Sequence, residues 1–216
     1  MHPAREEILA KLRTALGRQA GQVVPPLPAT ARVGARPAGP PDAEIQLLCA
    51  EIRKLSGVTR RLAGPAALRP ALAELVQAEG VRKAALWTTA QLQAWGVGKT
   101  LESLGVALVP AQAGNREVAE CELGVTGVDG ALPETGTLVL GSSPERPRVV
   151  SLLPRVHLAI LTPAALQADL HQALAAVRGG PYAVLVTGPS RTADIELTLT
   201  LGVHGPKALH VWLLPG

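Results

Sequence analysis

The chain has 216 residues, of which 47% are hydrophobic, 18% charged and 2% aromatic, with no Phe. That length buries one sizeable core, or one core and a small appendage, and the composition excludes a disordered chain. The formal charge of +4 comes from scattered Arg and Lys with no dense basic run and no interleaved aromatics. This argues against nucleic-acid binding and leaves a solvated basic surface that favours an anionic small molecule or an acidic partner face.

No run of about 18 apolar residues occurs, and Arg5, Glu6 and Glu7 stand where a signal peptide would carry its apolar core. A soluble, cytoplasmic protein without a membrane partner is expected. Cys49 and Cys121 are the only cysteines and lie in no Cys-x-x-Cys context. They supply neither a disulfide framework nor the ligands of a self-contained iron–sulfur or zinc-thiolate site.

In chain order, Pro3 to Gly17 reads as an amphipathic helix, with Ile8, Leu9, Leu12 and Leu16 on one face. Residues 21 to 41 follow with six prolines, too many for a helix or a central strand. Residues 1–41 are therefore read as a helical arm and linker whose apolar stripe packs on the body or on another subunit, and 42–216 as the α/β domain. Asp42 is expected to cap a helix carrying Ile45, Leu48, Ile52 and Leu55 and ending at Gly57.

Strands and helices then alternate. Strands are expected at Val58 to Ala63, Lys83 to Trp87 and Val106 to Val109. The helices between them are Pro70 to Glu79 and Thr89 to Leu104, the latter broken near Gly96 and Gly98. Alternation at these lengths predicts helical crossovers and a largely parallel sheet covered on both faces.

Leu123 to Val128 and Thr137 to Leu140 are strand-like, but the GALPETG segment between them is too short for a crossover. It predicts antiparallel or bulged pairing and a mixed sheet. Val156 to Leu161 is a buried strand, followed by a helix from Thr162-Pro163 carrying Leu166, Leu170, Leu174 and Val177. Ala183 to Val186 and Leu209 to Leu213 are the last strands. Asp194 to Leu201 alternates polar and apolar strictly, which favours a half-exposed strand, with a short helix after Ser190 as the alternative.

Three polar, glycine-punctuated segments carry the candidate chemistry. In PETGT (133 to 137), Glu134 is a candidate general base or carboxylate nucleophile, with Gly136 freeing the turn and Thr137 offering a hydroxyl; the competing reading is an ordinary turn with an exposed Glu. In TGPSRTAD (187 to 194), the backbone freed by Gly188, the hydroxyls of Ser190 and Thr192 and the charge of Arg191 are suited to a phosphate or carboxylate. Asp194 and Glu196 complicate this, because two acids repel an anion unless Arg191 pairs with one, and an Arg–Asp pair of that kind is a purely structural clamp.

His204, in the GVHGP loop (202 to 206), is a candidate proton shuttle or hydrogen-bond donor. His157 and His210 fall within strands and read as satisfied core or surface residues. No His pair has metal-ligand spacing with a carboxylate, and neither G-x-G-x-x-G nor a Walker lysine loop is present. No protein-held metal and no dinucleotide are expected.

The strings VTGVDGALPETGTLVL, SLLPRVHLAIL, TGPSRTADIE and GVHGPKALHV occur in this order across about residues 123 to 212. In them the chain resembles the lactate utilization protein C family, also called the LUD-domain family. Pro133 departs from the small residue common at that position, which stiffens the turn without removing a reacting group. The resemblance implies a Rossmann-like three-layer α/β/α fold with a mixed, mostly parallel sheet, similar to the sugar-phosphate isomerase and coenzyme A transferase-like superfamily.

The resemblance also implies a subunit or accessory protein of a system oxidising L-lactate to pyruvate. Iron–sulfur clusters would sit on partner subunits, and no cofactor on this chain. The alternatives are a free-standing isomerase or acyl/coenzyme A transferase-like enzyme using Glu134, and a regulatory scaffold.

Overall fold

The structure, a computed structural model, describes residues 3–18, 36–192 and 200–215. The chain divides into two units, residues 1–34 and 35–216. The first contains α1 (Pro3–Ala15), in which Lys11 reaches back to Glu7 across one helical turn.

In the second unit, α2 (Pro41–Lys54) leads to β1 (Val58–Arg61), and a 3-10 turn leads to α3 (Leu68–Glu79) and β2 (Lys83–Leu86). Helices α4 (Ala90–Ala94) and α5 (Val97–Ser103) precede β3 (Ala107–Val109), and α6 (Asn115–Ala119) precedes β4 (Leu123–Thr126). These crossovers produce a six-stranded sheet in the order β1-β11-β7-β4-β2-β3, in which every pairing is parallel. The remaining two strands of that sheet are β7 (Val156–Leu161) and β11 (Ala208–Leu213).

The connections into β7 and β11 depart from the helical pattern. Between β4 and β7 the chain forms β5 (Gly130–Leu132), β6 (Thr137–Gly141) and α7 (Val149–Leu152). Between β7 and β11 it forms α8 (Leu170–Ala175), β8 (Ala183–Thr187) and the short β9 (Arg191–Thr192) and β10 (Thr200–Leu201). Strands β5, β6 and β8 form a separate antiparallel sheet, and β9 pairs antiparallel with β10. The strand set is thus mixed and mostly parallel, with the antiparallel pairing around GALPETG placed beside the main sheet.

Alternation along β7 and β11 divides the core. Val156, Leu158, Ile160 and Trp212 join a cluster with Leu68, Leu72 and Leu75 of α3 and Val97 and Leu101 of α5. Ala159, Leu161, Leu209, Val211 and Leu213 face the other way. They pack on Ile45, Leu48, Cys49 and Ile52 of α2 and on Ala131 and Leu138 of the small sheet. Period-two strands with helices on both sides give this two-sided burial. Both thiols are buried and free, and burial pushes that of Cys121 up.

Several local expectations are corrected. Pro40 stands at the N-cap of α2 without a side-chain cap, while Asp42 pairs with Arg61 at 2.8 Å. The left-handed residue after α2 is Ser56, at φ 67°, in place of Gly57. The helix expected from Thr162 is a 3-10 turn at Pro163–Ala165, and α8 starts only where Asp169 accepts from the Gln172 N–H at 2.8 Å. Of the alternating stretch 194 to 201, residues 193–199, including Asp194, lie outside the described residues; Thr200 and Leu201 form β10.

Candidate functional site

The antiparallel register of β6 and β8 sets Thr137 opposite Thr187. Their hydroxyls lie 2.9 Å apart, and Thr135 extends the chain at 2.8 Å from Thr137. Segments 50 residues apart in sequence therefore lie side by side, each resting on the end of α2. Gly136 has φ 64° and would bring a Cβ to 2.9 Å from the Ile52 nitrogen. Gly188, at φ 78°, would bring one to 2.9 Å from Leu55 Cβ. Both turns need a left-handed residue without a side chain, which only Gly supplies at low cost.

Beyond Gly188, the Ser190 N–H donates to the Pro206 carbonyl at 2.9 Å, and the Gly202 N–H donates to the Ser190 carbonyl at 2.9 Å. These bonds fold the GVHGP loop onto the GPSR turn. A cleft of about 370 Å3 results, between the small sheet and the amino ends of β7 and β11. Val186, Leu209 and Leu152 form apolar walls, and Gly188, Ser190, Arg191 and His204 bring polar groups to it.

Arg191 is anchored by a hydrogen bond to the Leu55 carbonyl at the C-terminal end of α2, where a cation also meets the helix dipole. Its structural partner is thus a helix end. Thr192 pairs with Thr200 in the β9–β10 hairpin and is not among the cleft residues.

Glu134 is not brought into the cleft. Its side chain is 66% exposed on the β5–β6 turn, 3.8 Å from Arg36 Nε. Arg36 in turn forms two bonds, of 2.9 and 2.6 Å, to Glu44, which also accepts from the Gly39 N–H at 2.7 Å. The guanidinium beside it is the main reason the Glu44 carboxyl lies below the usual carboxylate range. This cluster ties the chain entering α2 to the PETGT turn, so the geometry around Glu134 is that of a surface ion pair. Gly136 and Thr137 support the cleft from behind and do not line it.

Sequence reasoning missed His157. It is 1% exposed and lies on the cleft floor as the second residue of β7. Its Nε2 sits 2.9 Å from Thr126 Oγ1, while Nδ1 has no hydrogen-bond partner among the described residues. Burial lowers its pKa to about 4, so the ring is neutral. The available signal was a lone imidazole inside the aliphatic run VHLAIL, where an unpaired polar group is costly. His210 belongs elsewhere, 3.6 Å from Glu79, with burial lowering its pKa against the pull of that carboxylate.

Asp129 was also not singled out. It accepts from the Gly141 N–H at 2.7 Å and pairs with Arg146 at 2.5 Å, clamping the β5–β6 hairpin. A second, more apolar cavity of about 460 Å3 opens at the carboxyl ends of β2 and β3, beside Trp87, Leu92, Lys99 and Gln112.

A parallel α/β sheet with a cleft built from inserted antiparallel strands defines a class of fold, and the solved structures contain a match to it. A DUF162 family protein from Deinococcus radiodurans superposes with a TM-score of 0.59 at 16% identity, covering 83% of this chain and all of that one. The LUD domain family model matches residues 65–214, which include the whole cleft.

Lactate utilization protein C of Shouchella clausii is 34% identical over 155 residues, 67% of this chain and 68% of that protein. The protein of the same name from Geobacillus sp. is 32% identical over 162 residues, 67% of each. The chain belongs to the LUD-domain family. Among the described residues, no helix is long and apolar enough to cross a membrane.

Proposed function

We propose that the protein serves in lactate utilization as a cytoplasmic subunit or accessory protein of a system that oxidises L-lactate to pyruvate. In this reading it works beside iron–sulfur partner proteins that carry the electrons. Its own part is to hold a small carboxylate or phosphate in the cleft at Gly188, Ser190, Arg191 and His204.

One observation carries the reading. Three of the four segments in which the chain resembles the lactate utilization protein C family supply the lining of a single cleft. Ser151, Leu152 and His157 come from SLLPRVHLAIL, Thr187 to Arg191 from TGPSRTADIE, and His204, Gly205, Pro206 and Leu209 from GVHGPKALHV. A hydroxyl, a guanidinium and a glycine-freed backbone on one wall are the donors a small anion needs.

The acyl-transferase alternative has less support, since the Glu134 carboxylate faces Arg36 and solvent. Deleting the gene should abolish growth on L-lactate, and the tagged chain should co-purify with cysteine-rich proteins. Restoration of growth by the wild-type gene but not by Ser190→Ala/Arg191→Ala ties the phenotype to the cleft. Normal growth of the deletion strain on L-lactate overturns the reading.

A further inference from the structure

The cavity at the carboxyl ends of β2 and β3 plays no part in the reading above, and its charges differ from those of the cleft. The cleft brings Arg191 and His204 to its lining and, among the described residues, no carboxylate. The cavity, of about 460 Å3, brings one side chain of each sign, Lys99 and Glu102, both from α5. Three residues apart, they share a face of the helix. Both are exposed, and among the described residues neither forms an ion pair with the other or with a third group.

Beneath these two charges the walls are apolar. Leu92 and Trp87 are buried, and the Trp87 indole N–H already donates to the Pro147 carbonyl at 3.0 Å, so the ring offers only its hydrocarbon surface. Leu86 and Leu108 line the cavity and stay half-buried, although each also packs on the core. Apolar side chains left short of full burial in a concave site are what the apolar body of a ligand would cover.

Gly98 is the second observation. It lines the cavity from within α5, where glycine weakens a helix relative to alanine. Its backbone is not left-handed, and a Cβ there would meet Leu108 and Leu86 methyl carbons at 3.5 and 3.6 Å, ordinary van der Waals contact. Neither conformation nor packing therefore requires glycine at this position. What its missing side chain does is keep the floor between Leu86 and Leu108 open, so that another molecule can approach the backbone closely.

We propose that this cavity binds a free α-amino acid with an apolar side chain, its carboxylate at Lys99, its ammonium at Glu102 and its side chain over Gly98 against Leu86 and Leu108. A zwitterion answers both charges, whereas an anion or a cation alone meets one attraction and one repulsion. The volume exceeds what pyruvate fills and accommodates a phenyl ring or a branched alkyl group. The site is separate from the cleft at Ser190 and stands whether or not that cleft takes a small anion.

The test is calorimetry on the full chain with L-phenylalanine, with 3-phenylpropanoate and 2-phenylethylamine, which each lack one of its charges, and with L-alanine, which lacks the ring. L-Phenylalanine should bind about 2- to 5-fold more tightly than either one-charge analogue, the range of a solvent-exposed ion pair. L-Alanine should bind about 10- to 100-fold more weakly, the effect of an unburied ring. Glu102→Gln should erase the preference over 3-phenylpropanoate, and Lys99→Gln the preference over 2-phenylethylamine.

Gly98→Ala should raise the melting temperature by about 1–3 °C while weakening L-phenylalanine severalfold, two effects of opposite sign that a purely structural glycine would not give. Gly98→Leu should abolish binding, and Ser190→Ala/Arg191→Ala should leave it unchanged. Equal binding of L-phenylalanine and both one-charge analogues, no binding of any of the four compounds, or loss of L-phenylalanine in Ser190→Ala/Arg191→Ala overturns the inference. Only the last of these bears on the cleft at Ser190, whose small-anion reading is tested by lactate growth.

Discussion

The large parallel sheet and the small antiparallel sheet beside it solve different problems with different residues. Strands β4 and β7 are buried along their whole length, and the only polar side chains they carry are Thr126 and His157, bonded to each other across the pair. Strand β8 alternates exposed and half-buried residues, and the small sheet runs a chain of threonine hydroxyls across its end. Aliphatic burial on both faces makes the first sheet rigid, and the second spends polar contacts on placing loops. The cleft opens where they meet, because there a polar turn is held beside an aliphatic floor.

The sharpest way to break this contrast is at Gly124 in β4. A Cβ there would overlap the Val150 carbonyl oxygen of α7, with Pro154 also in contact. Backbone has no room to yield, so Gly124→Ala should cost more than about 3 kcal/mol in denaturant unfolding. A cost below about 1 kcal/mol would mean that the large sheet is less closely packed than described.

Acid tests the floor of the cleft. An unfolded His157 titrates near 6.5 and the folded one near 4, so between those values the unfolded chain binds more protons. Its contribution is complete above about pH 6.5 and declines as pH falls toward 4, by roughly 3 kcal/mol if the ring stays buried and neutral. His210, lowered by burial, acts in the same direction. His157→Gln should flatten the decline in stability between these pH values, and an unchanged slope would place the ring in contact with water.

Glu44→Gln removes the charge that holds Arg36 and keeps the side chain's size. A loss of about 1–3 kcal/mol is expected, since the bonds broken or weakened are charge-assisted. Ligand binding should persist, because this cluster lies outside the cleft. Thr137→Val, which keeps the shape and breaks the hydroxyl chain, should cost about 1 kcal/mol by thermal unfolding and loosen the Gly188 turn. A wild-type melting curve for Thr137→Val would show that backbone pairing alone registers β6 on β8.

The sequence was legible where one physical rule dominated. Apolar runs bounded by prolines gave β7 and β11 nearly to the residue, and the βα alternation of the first half gave the parallel sheet. Gly136, Gly188, Ser190 and His204 were readable as loop residues, because glycine punctuation marks turns whatever the tertiary context. Two things were not readable. Arg191 donates to a helix-end carbonyl at Leu55, a long-range contact no local pattern encodes, and the Asp194 alternative lies outside the described residues. His157 was set aside as a satisfied strand residue, because only coordinates reveal which of two ring nitrogens lacks a partner.

The surroundings of Glu134 were not readable for a related reason. A glutamate between proline and glycine looks poised, but a turn that projects it toward Arg36 makes it a surface ion pair. In open α/β sheets ligands are usually sought at the carboxyl ends of the strands. This molecule has a cavity there, near Trp87 and Gln112, and another at the amino ends of β7 and β11. The two cavities compete directly for the role of binding site.

A crystal structure of the protein soaked in pyruvate decides between them. The account predicts the carboxylate at Ser190 and Arg191, in the cleft beside His204. Pyruvate bound instead between Trp87 and Gln112, with the His157 cleft unoccupied, would contradict it.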